Sequence, residues 1–282
     1  MRLYSSPVRL GVLEVLTRTR DELLIASPYV KTNEVDWLLC QLNKQSKRLR
    51  RIRLVTDIRS ENVLSGSLDL EGLELLLDGE PTAEVINLPR LHAKVYIADT
   101  AFALVTSANL TRPGLAFNYE YGVGLDSPQH VKAVRADIEA YSRLGGSVSR
   151  QVIATLKAAA NDIRPEYDAV KAEAVKKLRL KVGKALQVTE TTFLQAHIGN
   201  RTAHSLFADA IRYSLSRNPA TTRELHDEVR KLLPDLCDDS RDLVINGQHF
   251  GKKWKHVVRT AQVFLRRKGE IKLIGKEWHL IV

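Results

Sequence analysis

His92-Ala93-Lys94 sets an imidazole and an ammonium two residues apart, and Ser107-Ala108-Asn109 does the same for a hydroxyl and an amide. Asp99 comes five residues after the lysine, and Glu120 follows in Asn118-Tyr119-Glu120. Residues two apart on a strand point to the same face. If both segments are strands and neighbours, the imidazole, ammonium, hydroxyl and amide surround one point. Such a group suits a phosphodiester. The cation and the amide and hydroxyl donors can hold nonbridging oxygens while the imidazole attacks phosphorus.

The elements that would position these residues alternate between strands and helices. Glu22 to Ser27 is a short apolar run, Val35 to Leu42 has helical spacing, and Ile52 to Thr56 alternates. Glu71 to Leu77 reads as a helix. Ala93 to Ala98, Phe102 to Thr106 and Tyr119 to Leu125 read as three successive strands, and Pro128 to Leu144 as a closing helix. The fold class expected for residues 1–145 is an α/β sandwich around a mixed sheet. Residues 146–200 read as a helical connector in which Pro165 ends one helix and begins another. From residue 201 to 282 the pattern is three helices and a terminal hairpin, the order of a winged helix. Leu206, Ala210, Ile211 and Leu215 stripe the first helix, Leu225, Val229 and Leu232 the second, and Trp254, Val257, Val258, Ala261, Phe264 and Leu265 the third.

Composition narrows the class. The chain has 282 residues, 44% hydrophobic and 27% charged, which favours packed domains over disorder. No run approaches the roughly 18 apolar residues of a membrane span, and Met1 to Arg9 lacks a signal-peptide stretch, so a soluble cytoplasmic protein is expected. Cys40 and Cys237 form neither a disulfide framework nor a metal-ligand spacing. The formal charge is +10, but residues 1–145 hold 18 basic and 18 acidic side chains, so the whole excess lies further along. That asymmetry points to a polyanionic partner, nucleic acid before membrane.

His92-x-Lys94-x4-Asp99 with Ser107-x-Asn109 resembles the HKD motif of the phospholipase D superfamily, and Glu120 matches the downstream acidic residue of its short nuclease members. One departure is Thr106, where many members carry Gly before the serine. The resemblance covers about residues 1 to 145 and implies roles. His92 would be the nucleophile, Lys94 and Asn109 phosphate binders, and Ser107 a supporting donor. Asp99 and Glu120 would orient and charge-balance the histidine and its neighbours. Superfamily members use two such motifs around one site. This chain has one, which implies a homodimer sharing a single active site. The resemblance implies neither metal nor other cofactor.

Near the C-terminus, Lys252, Lys255, Arg259, Gln262 and Arg266 recur at steps of three and four, with Lys253 beside them and no acidic residue between. This predicts a DNA-reading helix with Lys and Arg on phosphates and Gln262 or Arg259 within reach of base edges. Pro234-Asp235 with Glu270-Ile271-Lys272 has the residue types of a metal-dependent nuclease but falls outside any central sheet. His249 and His256 lack companions for metal binding. The expectation is a metal-independent DNA endonuclease of restriction or phage-defence type. The alternatives are a phospholipase or phosphatidyltransferase, and a non-catalytic DNA-binding regulator.

Overall fold

The computed structural model describes the backbone of residues 1–45, 49–80 and 82–281. It divides into two compact units, Met1–Glu173 and Ala174–Val282. In the first, β1 (Arg2–Ser5), α1 (Arg9–Arg18), β2 (Glu22–Ala26), α2 (Thr32–Lys44) and β3 (Arg51–Thr56) are followed by α3 (Ser60–Leu64), α4 (Leu70–Gly79) and β4 (Ala83–Asn87). Then come β5 (Val95–Ala98), β6 (Phe102–Thr106), β7 (Tyr121–Leu125), α5 (Pro128–Ser142), β8 (Gly146–Val148) and the first half of α6 (Arg150–Ile198).

The eight strands form one mixed sheet in the order β1-β7-β6-β5-β2-β3-β4-β8. β2, β3 and β4 are parallel, with Ile25 opposite Leu54 and Leu54 opposite Val85. β5 joins β2 antiparallel, with Tyr96 opposite Ile25. Alternation along β2 sends Leu23 and Ile25 to a core shared with α1, α2 and α4, and Leu24 and Ala26 to a second core under α5. Both faces are therefore covered, which is why the strand reads as a nearly continuous apolar run. Each Leu or Ile fully buried there contributes about 1.5–3 kcal/mol. The fold is the mixed α/β class expected from the sequence.

The expected break at Pro165 does not occur. α6 runs through the proline as one helix. Alanine-rich sequence flanks it on both sides, and bonds to the sheet-side elements hold the helix in line. Lys157 pairs with Glu74 at 2.7 Å, Arg164 donates to the Val63 carbonyl at 3.1 Å, and Ile153 is fully buried. These anchors, all in the turns before Pro165, help offset the backbone bond that proline removes.

The second unit contains α7 (Ala203–Leu215), β9 (Ala220–Thr221), α8 (Thr222–Leu232), β10 (Asp242–Ile245), β11 (Gln248–Lys252), α9 (Lys253–Arg267), β12 (Ile271–Ile274) and β13 (Glu277–Leu280). Its core joins Leu206, Phe207, Ile211, Leu225, Val229, Trp254, Val258, Leu265 and Trp278. Thr221 and Glu224 form a reciprocal cap at the start of α8. β13 pairs with both β12 and β9. The β10–β11 hairpin was not anticipated. It turns at Asn246-Gly247, both at positive φ (51° and 79°), a pair whose type favours a tight hairpin and could have revealed it.

Candidate active site

The parallel strands β2, β3 and β4 and the antiparallel strands β5 to β7 bring their polar flanks to one end of the sheet. His92 and Lys94 do not lie on a strand, as their spacing predicted, but in the segment entering β5. Ser107 and Asn109 likewise follow the end of β6. The reason is the pair of apolar layers. A charged side chain projecting from within β5 would enter hydrocarbon, so the charges collect where the sheet ends. The two segments still meet, because the Thr106 N–H donates to the Lys94 carbonyl at 3.0 Å.

His92 is exposed and Lys94 is buried, at 8%. The Lys94 ammonium donates to the His92 carbonyl at 2.8 Å and lies 3.2 Å from His92 Nε2. Burial lowers the pKa of Lys94, and the negative charge of Glu120 partly opposes that shift. Ser107 Oγ donates to a Glu120 carboxylate oxygen and accepts the Tyr121 N–H at 3.1 Å. Glu120 is fixed further by Asn118 Nδ2 at 3.2 Å and by its own N–H donating to Ser6 Oγ at 2.5 Å. Sequence reasoning missed Ser6, whose partner lies 114 positions away in the chain.

Asn109 sits in a tethered loop. Its neighbour Leu110 donates to Ser27 Oγ at 2.9 Å and accepts the Lys31 N–H at 3.0 Å, while the buried Tyr96 hydroxyl donates to the Ala108 carbonyl at 3.2 Å. Gly114 packs against this loop so closely that a Cβ would lie 2.7 Å from the Asn109 carbonyl oxygen. Asn109 Oδ1 is buried without a hydrogen-bond partner among the described residues. Its position two residues after Ser107 places it at the same end of β6.

Asp99 departs from the expected role. It follows β5 at the end opposite Lys94, and across that strand the separation is about 16 Å at roughly 3.3 Å per residue. Its carboxylate accepts the backbone N–H groups of Arg20 at 2.7 Å, Asp21 at 3.0 Å and Glu22 at 2.6 Å. Asp99 therefore closes the turn into β2 and does not orient His92. The strand that makes the motif contiguous in sequence is what carries its last member away.

Residues 12–141 match the family model described as cardiolipin synthase, PLD-like domain. Within the N-terminal unit, residues 12–141 form a phospholipase D-like domain. This places it in a superfamily of phosphodiesterases. Nuc from Salmonella typhimurium, a phospholipase D family member, is similar over 52% of this chain and 96% of its own, at 15% identity and a TM-score of 0.43. NucT from Helicobacter pylori is similar over 52% and 98%, at 13% identity and a TM-score of 0.42. Phosphatidylserine synthase from Haemophilus influenzae is similar over 60% and 44%, at 14% identity and a TM-score of 0.41. No curated protein matches the sequence.

Outside the phospholipase D-like domain, α9 only partly follows its sequence pattern. Lys253, Arg259 and Arg266 are exposed, as is Arg267, which the stepping argument passed over. Lys252 precedes the helix and pairs with Asp242 at 2.9 Å, and the Lys255 ammonium lies 5.5 Å from the Trp254 ring centroid. Gln262 is 2% exposed and its Nε2 has no partner among the described residues, so it cannot read a base edge from there. One residue on from buried Ala261 is only about 100° around the helix. The stripe thus runs along the border of the core and not opposite it. Among the described residues no helix is long and apolar enough to cross a membrane.

Proposed function

We propose that this protein is a DNA endonuclease that cleaves phosphodiester bonds through a phosphohistidine intermediate and needs no metal ion. The observation that carries the proposal is the exposed His92 held against the buried Lys94. An ammonium has donors and no acceptor, so the ring nitrogen facing it accepts and keeps its lone pair in the plane of the ring. When the Lys94 ammonium turns from the ring to a nonbridging oxygen, the freed lone pair of that nitrogen attacks phosphorus, the bond from phosphorus to one ester oxygen breaks, and the electron pair leaves with that oxygen. Lys94 and Asn109 hold nonbridging oxygens, and Ser107 and Glu120 support the loop around them. Water then displaces the phosphoryl group from His92, restoring the imidazole.

The leaving oxygen requires a proton. With one such motif in the chain, the second histidine comes from another copy, so the working form is a homodimer with one shared site. Lys253, Arg259, Arg266 and Arg267 on α9 supply phosphate contacts, and residues 201–282 act as a winged-helix DNA-binding module. This positive surface favours nucleic acid over lipid as the substrate and suits a restriction or phage-defence role in the cytoplasm.

The decisive experiment incubates the purified chain with plasmid DNA, oligonucleotides and phosphatidylglycerol vesicles in excess EDTA. Cleavage of DNA in EDTA is expected. Turnover of the vesicles with intact DNA would turn the assignment to a lipid enzyme, and loss of DNA cleavage in EDTA would overturn the covalent mechanism.

A further inference from the structure

Two residues before His92 the chain makes a turn that no part of the motif explains. Arg90 adopts the left-handed region at φ 67°, uncommon for a residue other than glycine or asparagine. Its conformation is held from outside. The Arg90 N–H donates to Asp57 at 3.1 Å, the Leu88 N–H to the Thr56 carbonyl at 2.8 Å, and the Leu91 N–H to the Leu88 carbonyl at 3.2 Å. Asp57 is 1% exposed and also receives a bidentate grip from Arg59, with Nε at 2.9 Å from both oxygens and Nη2 at 2.7 Å from one. The Asp57 carbonyl in turn accepts Asn62 Nδ2 at 3.0 Å. The buried charge is thus matched by Arg59, whose outer edge is also 3.9 Å from the exposed Glu61. Arg90 is left over. It is exposed, and among the described residues its guanidinium has no ion-pair partner.

Leu91 is buried while Arg90 and His92 on either side of it are exposed, so the two side chains share the open side of the segment. Residues two apart are at most about 7 Å apart along an extended chain. Phosphates on one nucleic-acid strand recur about every 3.4 Å of axis, so a neighbour of the phosphate at His92 falls within the reach of an arginine. We infer that Arg90 is a second phosphate subsite, binding the nonbridging oxygens of a phosphodiester next to the one cleaved, on a turn fixed by Asp57. The inference rests on the nucleic-acid reading above and sharpens it. A polymer of phosphodiesters engages Arg90, and a substrate with one phosphodiester does not.

The test compares Arg90→Asn with the unaltered chain on an oligonucleotide and on bis(p-nitrophenyl) phosphate, which has a single phosphodiester. Asparagine tolerates positive φ, and the backbone bond to Asp57 remains, so the variant keeps its turn. KM for the oligonucleotide should rise about tenfold, with kcat/KM for bis(p-nitrophenyl) phosphate unchanged. In a His92→Ala background the same change should lower the slope of log affinity against log salt by about one unit. Equal losses on both substrates, or no loss on the oligonucleotide, overturn the subsite and leave the nuclease standing. A wild-type chain that hydrolyses bis(p-nitrophenyl) phosphate but no oligonucleotide overturns both.

Discussion

The Lys94 ammonium lies 3.2 Å from Nε2 of His92 while donating to the carbonyl of the same residue at 2.8 Å. One buried cation thus fixes both the ring and the backbone of the candidate nucleophile. In the proposed mechanism this pairing makes the charge state of Lys94 a condition of activity.

Burial lowers the pKa of Lys94, so it gives up its proton below the ordinary lysine value of about 10.4. Activity should therefore fall, as pH rises, earlier than an exposed lysine would allow. Stability moves the other way. Between the folded and unfolded values the unfolded chain binds the proton more tightly, so stability increases as pH rises through that window. Lys94→Arg, which stays charged, should remove the alkaline fall. Rate profiles and denaturant titrations over the same pH range check both signs, and parallel changes in the two would refute the assignment.

His92→Ala should reduce cleavage by at least about a thousandfold, because the covalent route is lost, while DNA affinity changes little. The site proposed to be shared between copies requires two chains. Light scattering of the active protein should report close to twice the 31.7 kDa of one chain. A fully active monomer would contradict the sharing.

Asp99→Ala removes the acceptor of three backbone N–H groups 77 to 79 positions away. Denaturant unfolding should show a loss of about 1–3 kcal/mol, and turnover of the folded fraction should stay near that of the parent. A fall in turnover as deep as that of His92→Ala, with stability intact, would return Asp99 to the chemistry.

On α9, Arg259→Ala and Arg266→Ala should each lower the salt slope of DNA binding by about one unit. Gln262→Met should leave affinity and sequence preference unchanged and cost less than about 1.5 kcal/mol, since the amide is buried with an unpartnered Nε2. Competition binding against matched and scrambled duplexes measures both. Loss of preference in Gln262→Met would mean that the amide reaches DNA after all.

Much of this protein is legible in the residues alone. The apolar run of Glu22–Ala26, the alternation in Arg51–Thr56 and the helical stripe through Trp254, Val258, Ala261 and Leu265 depend on periodicity and near neighbours, which a linear sequence records. The meeting of the His92-Lys94 and Ser107-Asn109 segments was legible as a spacing of chemical types around two neighbouring strands. What those spacings could not settle was decided by contacts between distant segments. Two apolar layers pushed His92 and Lys94 off the strand and to its end, and the loop 78 residues before Asp99 captured its carboxylate. Anchors from α3 and α4 held the turns of α6 before Pro165, and the packing of α9 turned Gln262 inward. Periodicity states which side chains share a face. Only the packing of one element against another decides what that face meets, because burial and hydrogen-bond partners are properties of the assembled chain.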